Sequence, residues 1–232
     1  MNRVRLQDKG IRIPSIALAM LGAAGLLACA IPAQAQTFNV LYNFQGSASK
    51  DGAYPNGLVQ GPNGDLYGTT GAGGPTDEGT VYRVAPSGGK YDILWNFDAS
   101  PGDTDGTGTT APPVLATNGT FYGTTLGNSG GGSGNGSDGV VFRITRAGSL
   151  TTVHNFCSVL DNGICADGLT TLGPMMQARN GYLYGTTSRA GAFNQGTIFK
   201  MAPGGAFTTL HSFCETLDQG TSALIPYANP AD

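Results

Sequence analysis

Four flat side chains occupy the same position in four related segments. Tyr42, Trp95, His154 and His211 are each followed two residues later by phenylalanine. Histidines can bind metals or transfer protons, but a register shared with tyrosine and tryptophan indicates a position that accepts any flat ring. Such rings can stack on sugars, so these four are candidate ligand-binding residues. Packing between neighbouring structural units is the alternative.

Acidic loops provide the candidate metal ligands. The segment Asp103-Thr104-Asp105-Gly106 resembles half of a calcium-binding loop. Calcium requires six to eight oxygen ligands, and aspartate and glycine are also ordinary turn residues. Asp103 and Asp105 are therefore the candidate metal residues, and Ca²⁺ is the one cofactor that the pattern suggests.

The cysteines suggest one disulfide. Cys157 and Cys165 bracket a single loop, and an exported protein can form a bond there. Cys214 aligns with Cys157, but serine replaces the second cysteine of that later segment at position 222. We predict a Cys157–Cys165 bond, with pairing to Cys214 as the alternative.

An internal repeat determines how these residues are positioned. The segment Tyr-Gly-Thr-Thr occurs at 67–70, 122–125 and 184–187. Each copy is followed by a glycine-rich loop, a short β-branched and aromatic segment, a turn, and the strand that carries the flat ring. A repeat of this length is typical of stacked supersecondary units.

Each unit has the pattern of four short strands. An Asn-Gly pair between the first two strands predicts a hairpin with both turn residues at positive φ. The expected fold is all-β, a β-propeller-like array of four-stranded antiparallel blades. About three blades are complete, near 58–97, 114–156 and 175–213, and the rest are partial. Glycine inside the second strand indicates close backbone approach, which we attribute to crowding around a propeller axis.

These motifs resemble the GloVer (choice-of-anchor) tandem repeats of exported bacterial proteins. The resemblance is carried by Leu66–Thr70 with Gly79–Tyr82, and by Leu183–Thr187 with Gly196–Phe199. The middle unit differs slightly, with Phe121 and Val140 at the corresponding positions. The resemblance covers about residues 38–213 and implies an exported protein with propeller-like repeats, but no particular activity.

The first 35 residues have the pattern of a secretory signal peptide. Basic residues precede an apolar run and an Ala-Gln-Ala cleavage site. We expect cleavage after Ala35 and a secreted, periplasmic or cell-surface protein; lipid attachment at Cys29 is the alternative. The mature chain would keep eight basic and 14 acidic residues, a formal charge of −6. That charge argues against a nucleic-acid partner, and no second apolar run predicts a membrane span.

The number of units is low for a closed propeller. Residues 36–214 form the predicted repeat domain, and 215–232 are an unfinished repeat or a disordered tail. Propellers have four to eight blades. The chain is therefore a piece of a longer protein, half of a ring closed by a homodimer, or an open arc.

The repeat indicates a non-catalytic binding or structural module at the cell surface. Its partner would be a carbohydrate or another surface ligand, or a second copy of the chain. The loops at 71–78, 126–138 and 188–195 vary most and are the expected contact regions. The alternative is a propeller-class enzyme, a lyase or glycosidase with acidic residues on its loops, because fold alone does not determine function.

Overall fold

The computed structural model describes residues 38–46, 50–98, 104–127, 138–161 and 163–213, and the backbone of 216–217 and 224–225. The chain divides into two compact units, 1–39 and 40–232. Of the first unit, only Phe38 and Asn39 are described. Within the described residues, no helix has the length and apolarity needed to cross a membrane.

The second unit contains three four-stranded antiparallel sheets, each built from consecutive strands. The first sheet is β1 (Ala53–Gln60), β2 (Leu66–Ala72), β3 (Thr80–Val84) and β4 (Tyr91–Asn96). The second is β5 (Val114–Leu115), β6 (Phe121–Thr124), β7 (Val140–Ile144) and β8 (Leu150–Asn155). The predicted all-β array of four-stranded blades is confirmed, and the third blade repeats this order.

The third sheet follows a small hairpin. The hairpin is β9 (Leu160–Asp161) with β10 (Ile164–Cys165). The sheet is β11 (Met176–Gln177), β12 (Leu183–Thr187), β13 (Thr197–Met201) and β14 (Phe207–Ser212). A last hairpin joins β15 (Thr216–Leu217) to β16 (Leu224–Ile225), within the segment predicted to be an unfinished repeat or a tail.

The Asn-Gly turns form, but with a different geometry from the predicted one. Only the glycine of each pair has positive φ, for example Gly119 at 79°. The asparagine instead bonds to the tyrosine of the following Tyr-Gly-Thr-Thr segment: Asn118 Nδ2 donates to the Tyr122 hydroxyl at 3.1 Å. Asn180 and Tyr184 repeat this bond at 2.9 Å. The predicted positive φ at the asparagine is therefore wrong, and the asparagine side chain links the turn to the second strand.

The glycine of the Tyr-Gly-Thr-Thr segment is explained by an aromatic ring. Gly123 pairs with Phe142 on the next strand, and a Cβ at Gly123 would lie 2.3 Å from Cζ of that ring. Gly185 faces Phe199 in the same way, at 2.4 Å. The predicted backbone approach is therefore wrong: the space beside the glycine is filled by a side-chain ring of the next strand, not by neighbouring backbone.

Apolar side chains join each sheet to the next. One buried cluster joins the first blade to the second sheet and contains Tyr67, Val81 and Phe97. Tyr67 stacks on Phe121, with the ring centroids 4.3 Å apart. A second cluster joins the second sheet to the third, and Phe156 lies within it. Stacking neighbouring units therefore buries the core that no single sheet could bury alone.

Residues 40–46 cover the first sheet without forming an assigned strand. Tyr42 stacks on Tyr91 at 3.9 Å, and Phe44 meets Tyr82 edge-on at 5.3 Å. The Phe97–Phe142 pair has nearly the same separation, 5.4 Å. This segment therefore takes the place that the last strand of a preceding sheet would occupy.

Candidate functional site

Each of three predicted ring residues forms a hydrogen bond to an aspartate in the link to the next sheet. The Tyr42 hydroxyl donates to Asp51 Oδ2 at 2.7 Å, and the Trp95 indole donates to Asp105 Oδ2. His154 Nε2 lies 3.0 Å from Asp167 Oδ2. We call each pair a ring–aspartate clasp. The clasp recurs at three of the four predicted rings, and such repetition is typical of a structural role.

The acceptor of each clasp belongs to an Asp-Gly pair. The glycine packs against the last threonine of the Tyr-Gly-Thr-Thr segment: a Cβ at Gly168 would lie 2.3 Å from Thr187 Oγ1, and one at Gly106 would lie 2.1 Å from Thr125 Oγ1. Positive φ at these glycines also disfavours any other residue. The Asp-Gly pair therefore joins the ring position to the end of the second strand of the following sheet.

Neighbouring side chains cover one face of the clasped rings. His154 stacks on Phe207 at 3.8 Å with 4° between the planes, as Tyr42 does on Tyr91. Trp95 packs against the cluster between the first two sheets. His211 lies at the last sheet, half-buried, with an edge contact to Phe213. The structure therefore brings Tyr42, Trp95 and His154 against successive sheets, and sugar stacking on the four rings stays a prediction.

Burial raises the pKa of tyrosines at the first of these interfaces. The pKa of Tyr42 rises to about 12, through burial and then through its bond to the Asp51 carboxylate. The pKa of Tyr82 also rises to about 12, through burial alone. Both shifts favour the neutral phenol in the folded protein.

Alkaline pH should therefore destabilise the fold. An unfolded tyrosine ionises near pH 10, so the folded state holds more protons between about pH 10 and 12. This stability is present below pH 10 and is lost as the pH rises towards 12. We expect the urea midpoint to fall across this range, and to fall less steeply in Tyr82→Phe. If the urea midpoint fell equally steeply with pH in the wild type and in Tyr82→Phe, the raised pKa of Tyr82 would be contradicted.

The predicted calcium ligands are not shown to converge. Asp103 lies outside the described residues, and Asp105 is 7% exposed, with its carboxylate accepting the Trp95 bond. Among the described residues, no three His, Cys, Asp or Glu side chains are placed to hold a metal ion. Calcium at this loop stays a prediction.

A disulfide closes the loop between the second and third sheets. It joins Cys157 to Cys165 and encloses the β9–β10 hairpin. Cys157 is buried and has a φ of 61°, a conformation that few side chains tolerate. Next to it, Asp167 Oδ2 also accepts bonds from the backbone nitrogen and Oγ of Ser158, at 3.2 and 3.0 Å. In the third clasp, one carboxylate oxygen therefore accepts hydrogen bonds from both the ring and the disulfide loop.

The threonines of the repeat form buried hydrogen bonds between links and sheets. Thr69 Oγ1 donates to the Ala111 carbonyl at 2.9 Å, and Thr109 Oγ1 donates to the Thr70 carbonyl at 3.0 Å. Thr110 Oγ1 reaches the carbonyl of Thr171, 61 residues away. These bonds satisfy the hydroxyl and carbonyl groups at the junctions of the sheets.

One cavity of about 450 Å³ lies beside the disulfide loop. Polar groups from Asp161, Asp167, Thr209 and Ser212 line it together with apolar side chains, including Phe207. Ala192, from the predicted variable loop at 188–195, also lines it. The cavity thus combines carboxylates, hydroxyls and an aromatic side chain, which is a pattern that can bind a small polar molecule.

Sequence reasoning missed the clasps. Asp105 was identified only as a candidate metal ligand, and the pairing of aspartates with the rings was not predicted. A signal was present, because an Asp-Gly pair follows three of the four flat rings, at Asp51, Asp105 and Asp167. The intervals differ, at nine, ten and 13 residues, and this variation hides the pattern.

Breaking the third clasp should lower the stability of the protein. Asp167→Asn keeps the shape but removes the charge that accepts three hydrogen bonds in a buried site. We expect the free energy of unfolding to fall by about 2 kcal/mol, since bonds to charged groups contribute about 1.5–3 kcal/mol. Urea unfolding measures this. The matched change at exposed Asp161 should cost about 0.5 kcal/mol or less. Equal losses at both positions would contradict the clasp.

Three solved structures are similar to this chain over about half of their own length. A candidate gluconolactonase has 16% identity and a TM-score of 0.42, with 67% of this chain and 48% of that chain covered. A PQQ-bound aldose sugar dehydrogenase from Streptomyces coelicolor has 20% identity and a TM-score of 0.42, with 70% and 48% covered. A protein of unknown function from Dyadobacter fermentans has 11% identity and a TM-score of 0.41, with 70% and 54% covered. No curated protein matches the chain significantly.

The repeat itself identifies the family. The family model of the Gloeobacter/Verrucomicrobia repeat matches residues 28–229, which is most of the chain. This range includes all three sheets, the clasps and the Tyr-Gly-Thr-Thr segments. The chain therefore belongs to the Gloeobacter/Verrucomicrobia repeat family.

Proposed function

We propose that this protein is an exported, non-catalytic repeat protein that acts as a binding or structural module at the cell surface. One observation carries the proposal. The ring and aspartate side chains that recur in the units, which could otherwise do chemistry, form clasps between sheets. A reacting centre needs groups with distinct roles, whereas these residues repeat one role in each unit.

The cavity beside the disulfide loop is the proposed binding site. It lies where the repeat is least regular, because the Cys157–Cys165 loop interrupts the link between the second and third sheets. The Asp161 carboxylate and the hydroxyls of Thr209 and Ser212 can bond to sugar hydroxyls. Phe207 and neighbouring aliphatic side chains provide apolar contact. A carbohydrate is therefore the ligand class that we propose.

Calorimetry with a panel of soluble oligosaccharides tests the binding proposal. We expect saturable binding of at least one sugar to the wild-type protein. Ala192→Trp should abolish it by filling the cavity, whereas the matched change at exposed Ala147, which does not line the cavity, should leave it intact. Lack of binding across the panel, or equal binding by both variants, would refute this site. New reducing ends or unsaturated sugars during incubation would instead support the alternative enzyme, a lyase or glycosidase.

Export is tested separately. The full chain with a C-terminal tag, expressed in a bacterial host, should be recovered outside the cytoplasm with its first 35 residues removed. Mass spectrometry of the recovered N-terminus measures the cleavage site. A protein retained in the cytoplasm with an intact N-terminus would refute export, and a lipid-modified Cys29 would favour anchoring.

A further inference from the structure

The third sheet exposes side chains whose counterparts are buried in the first two sheets. Phe97 and Phe156 are 0% exposed, but Phe213, at the same position of the third unit, is 41% exposed. The positions are equivalent because each phenylalanine nitrogen donates to the carbonyl of the corresponding glycine, at 79, 139 and 196. The exposure therefore reflects the lack of a following sheet among the described residues.

Other positions repeat this difference. Leu94 and Val153 pack against the clusters between sheets, but their counterpart Leu210 is 41% exposed. Met176 is 60% exposed, although its counterparts Val59 and Val114 also pack against those clusters. We call this surface the open face; it comprises Met176, Tyr184, Ile198, Leu210, His211 and Phe213.

The complementary surface exists in the same chain. The first sheet presents Tyr82 and Tyr91, which receive the rings of Tyr42 and Phe44. The second and third sheets present Phe142, Phe199 and Phe207 to the ring and phenylalanine of the sheet before them. The first sheet is therefore built to receive a flat ring followed two residues later by phenylalanine, and His211 and Phe213 have this pattern.

A close backbone contact accompanies each of these junctions. A Cβ at Gly148 would lie 2.8 Å from the Leu94 carbonyl oxygen, and one at Gly205 would lie 2.9 Å from that of Val153. At the first sheet, a Cβ at Gly88 would lie 3.4 Å from the Leu41 carbonyl oxygen. Leu210 is the counterpart of Leu94 and Val153 in the third sheet, so its carbonyl oxygen is the next one expected to make such a contact.

We propose that the open face binds the first sheet of a second copy of this chain. His211 and Phe213 of one copy take the places of Tyr42 and Phe44 in the other, and residues 40–46 of the second copy are displaced. The junction would reproduce the two sheet-to-sheet interfaces already present within the chain. Because the two surfaces differ, the contact is head-to-tail and produces a ring or a longer assembly. The proposal is independent of ligand binding and of export.

Light scattering on a sizing column tests the assembly. The purified protein should elute with at least twice the mass of one chain. Phe213→Ser should reduce it to the mass of one chain, whereas Leu160→Ser, which removes a comparably exposed apolar side chain from β9, should not. The double variant Tyr42→Ala/Phe44→Ala removes the rings that compete with the second copy for the first sheet. It should therefore strengthen the association of the two copies. The proposal would be overturned if the wild-type protein had the mass of one chain, or if residues 214–232 covered the open face.

Cross-linking tests the orientation. Leu210→Cys combined with Ser87→Cys should give a disulfide-linked oligomer under oxidation, because Ser87 precedes the turn glycine that Leu210 would approach. The background would carry Cys29→Ser and Cys214→Ser. Each single variant should stay unlinked. Linkage through Leu210→Cys alone would overturn the head-to-tail contact by showing a symmetric one.

Discussion

Phe156→Ala is expected to lower the free energy of unfolding by about 3–5 kcal/mol, the usual cost of truncating a buried phenylalanine. Phe156 is 0% exposed, and its ring meets Phe199 at 5.6 Å and His154 at 5.4 Å. Truncation would therefore leave a cavity between the second and third sheets. Urea unfolding, followed by circular dichroism, measures the change.

The repeat provides a matched control for this prediction. Phe213→Ala removes the same side chain from the same position of the next unit, where it is 41% exposed. At concentrations where the protein is a single chain, the expected cost is under about 1 kcal/mol. Similar costs at the two positions would mean that sheet-to-sheet packing does not determine the stability of this protein.

Gly123→Ala should lower the free energy of unfolding by about 3 kcal/mol, the upper end of the usual cost of overpacking a core. The new methyl group would lie 2.3 Å from Cζ of Phe142, a fully buried ring that neighbouring sheets hold in place. The strand or the ring must therefore move. The measurement is again urea unfolding.

Two further variants separate this clash from a general effect of glycine replacement. Gly173→Ala meets no atom within 4 Å and should be neutral or stabilise by up to about 1 kcal/mol. Phe142→Leu should rescue Gly123→Ala in part, so that the double variant loses at least about 1 kcal/mol less than the sum of the single losses. Additive losses would show that the ring does not account for the glycine.

These predictions share one physical basis. Each sheet presents rings on one side and receives rings on the other, so stability comes from junctions rather than from single sheets. The clasps add buried charge-assisted hydrogen bonds at the same junctions. A protein built in this way can vary its links, as at the Cys157–Cys165 loop, without losing the repeated contacts.

The class of fold and the order of strands could be predicted from the sequence. Its repeated Tyr-Gly-Thr-Thr and Asn-Gly segments predicted three four-stranded antiparallel units, and the structure confirms them. The family expected from the motifs also matches. These features are local, because turns and alternating strands depend on residues that are close in sequence.

The contacts of the conspicuous residues could not be predicted in this way, because they depend on how distant parts of the chain pack together. The bond between His154 and Asp167, the bond between Trp95 and Asp105, and the Phe142 ring over Gly123 join residues on different strands or links. Their spacing in the chain varies with loop length, so no fixed pattern reveals them. The difference between Phe156 and Phe213 is also invisible in the sequence, since burial depends on whether another sheet packs against the same position.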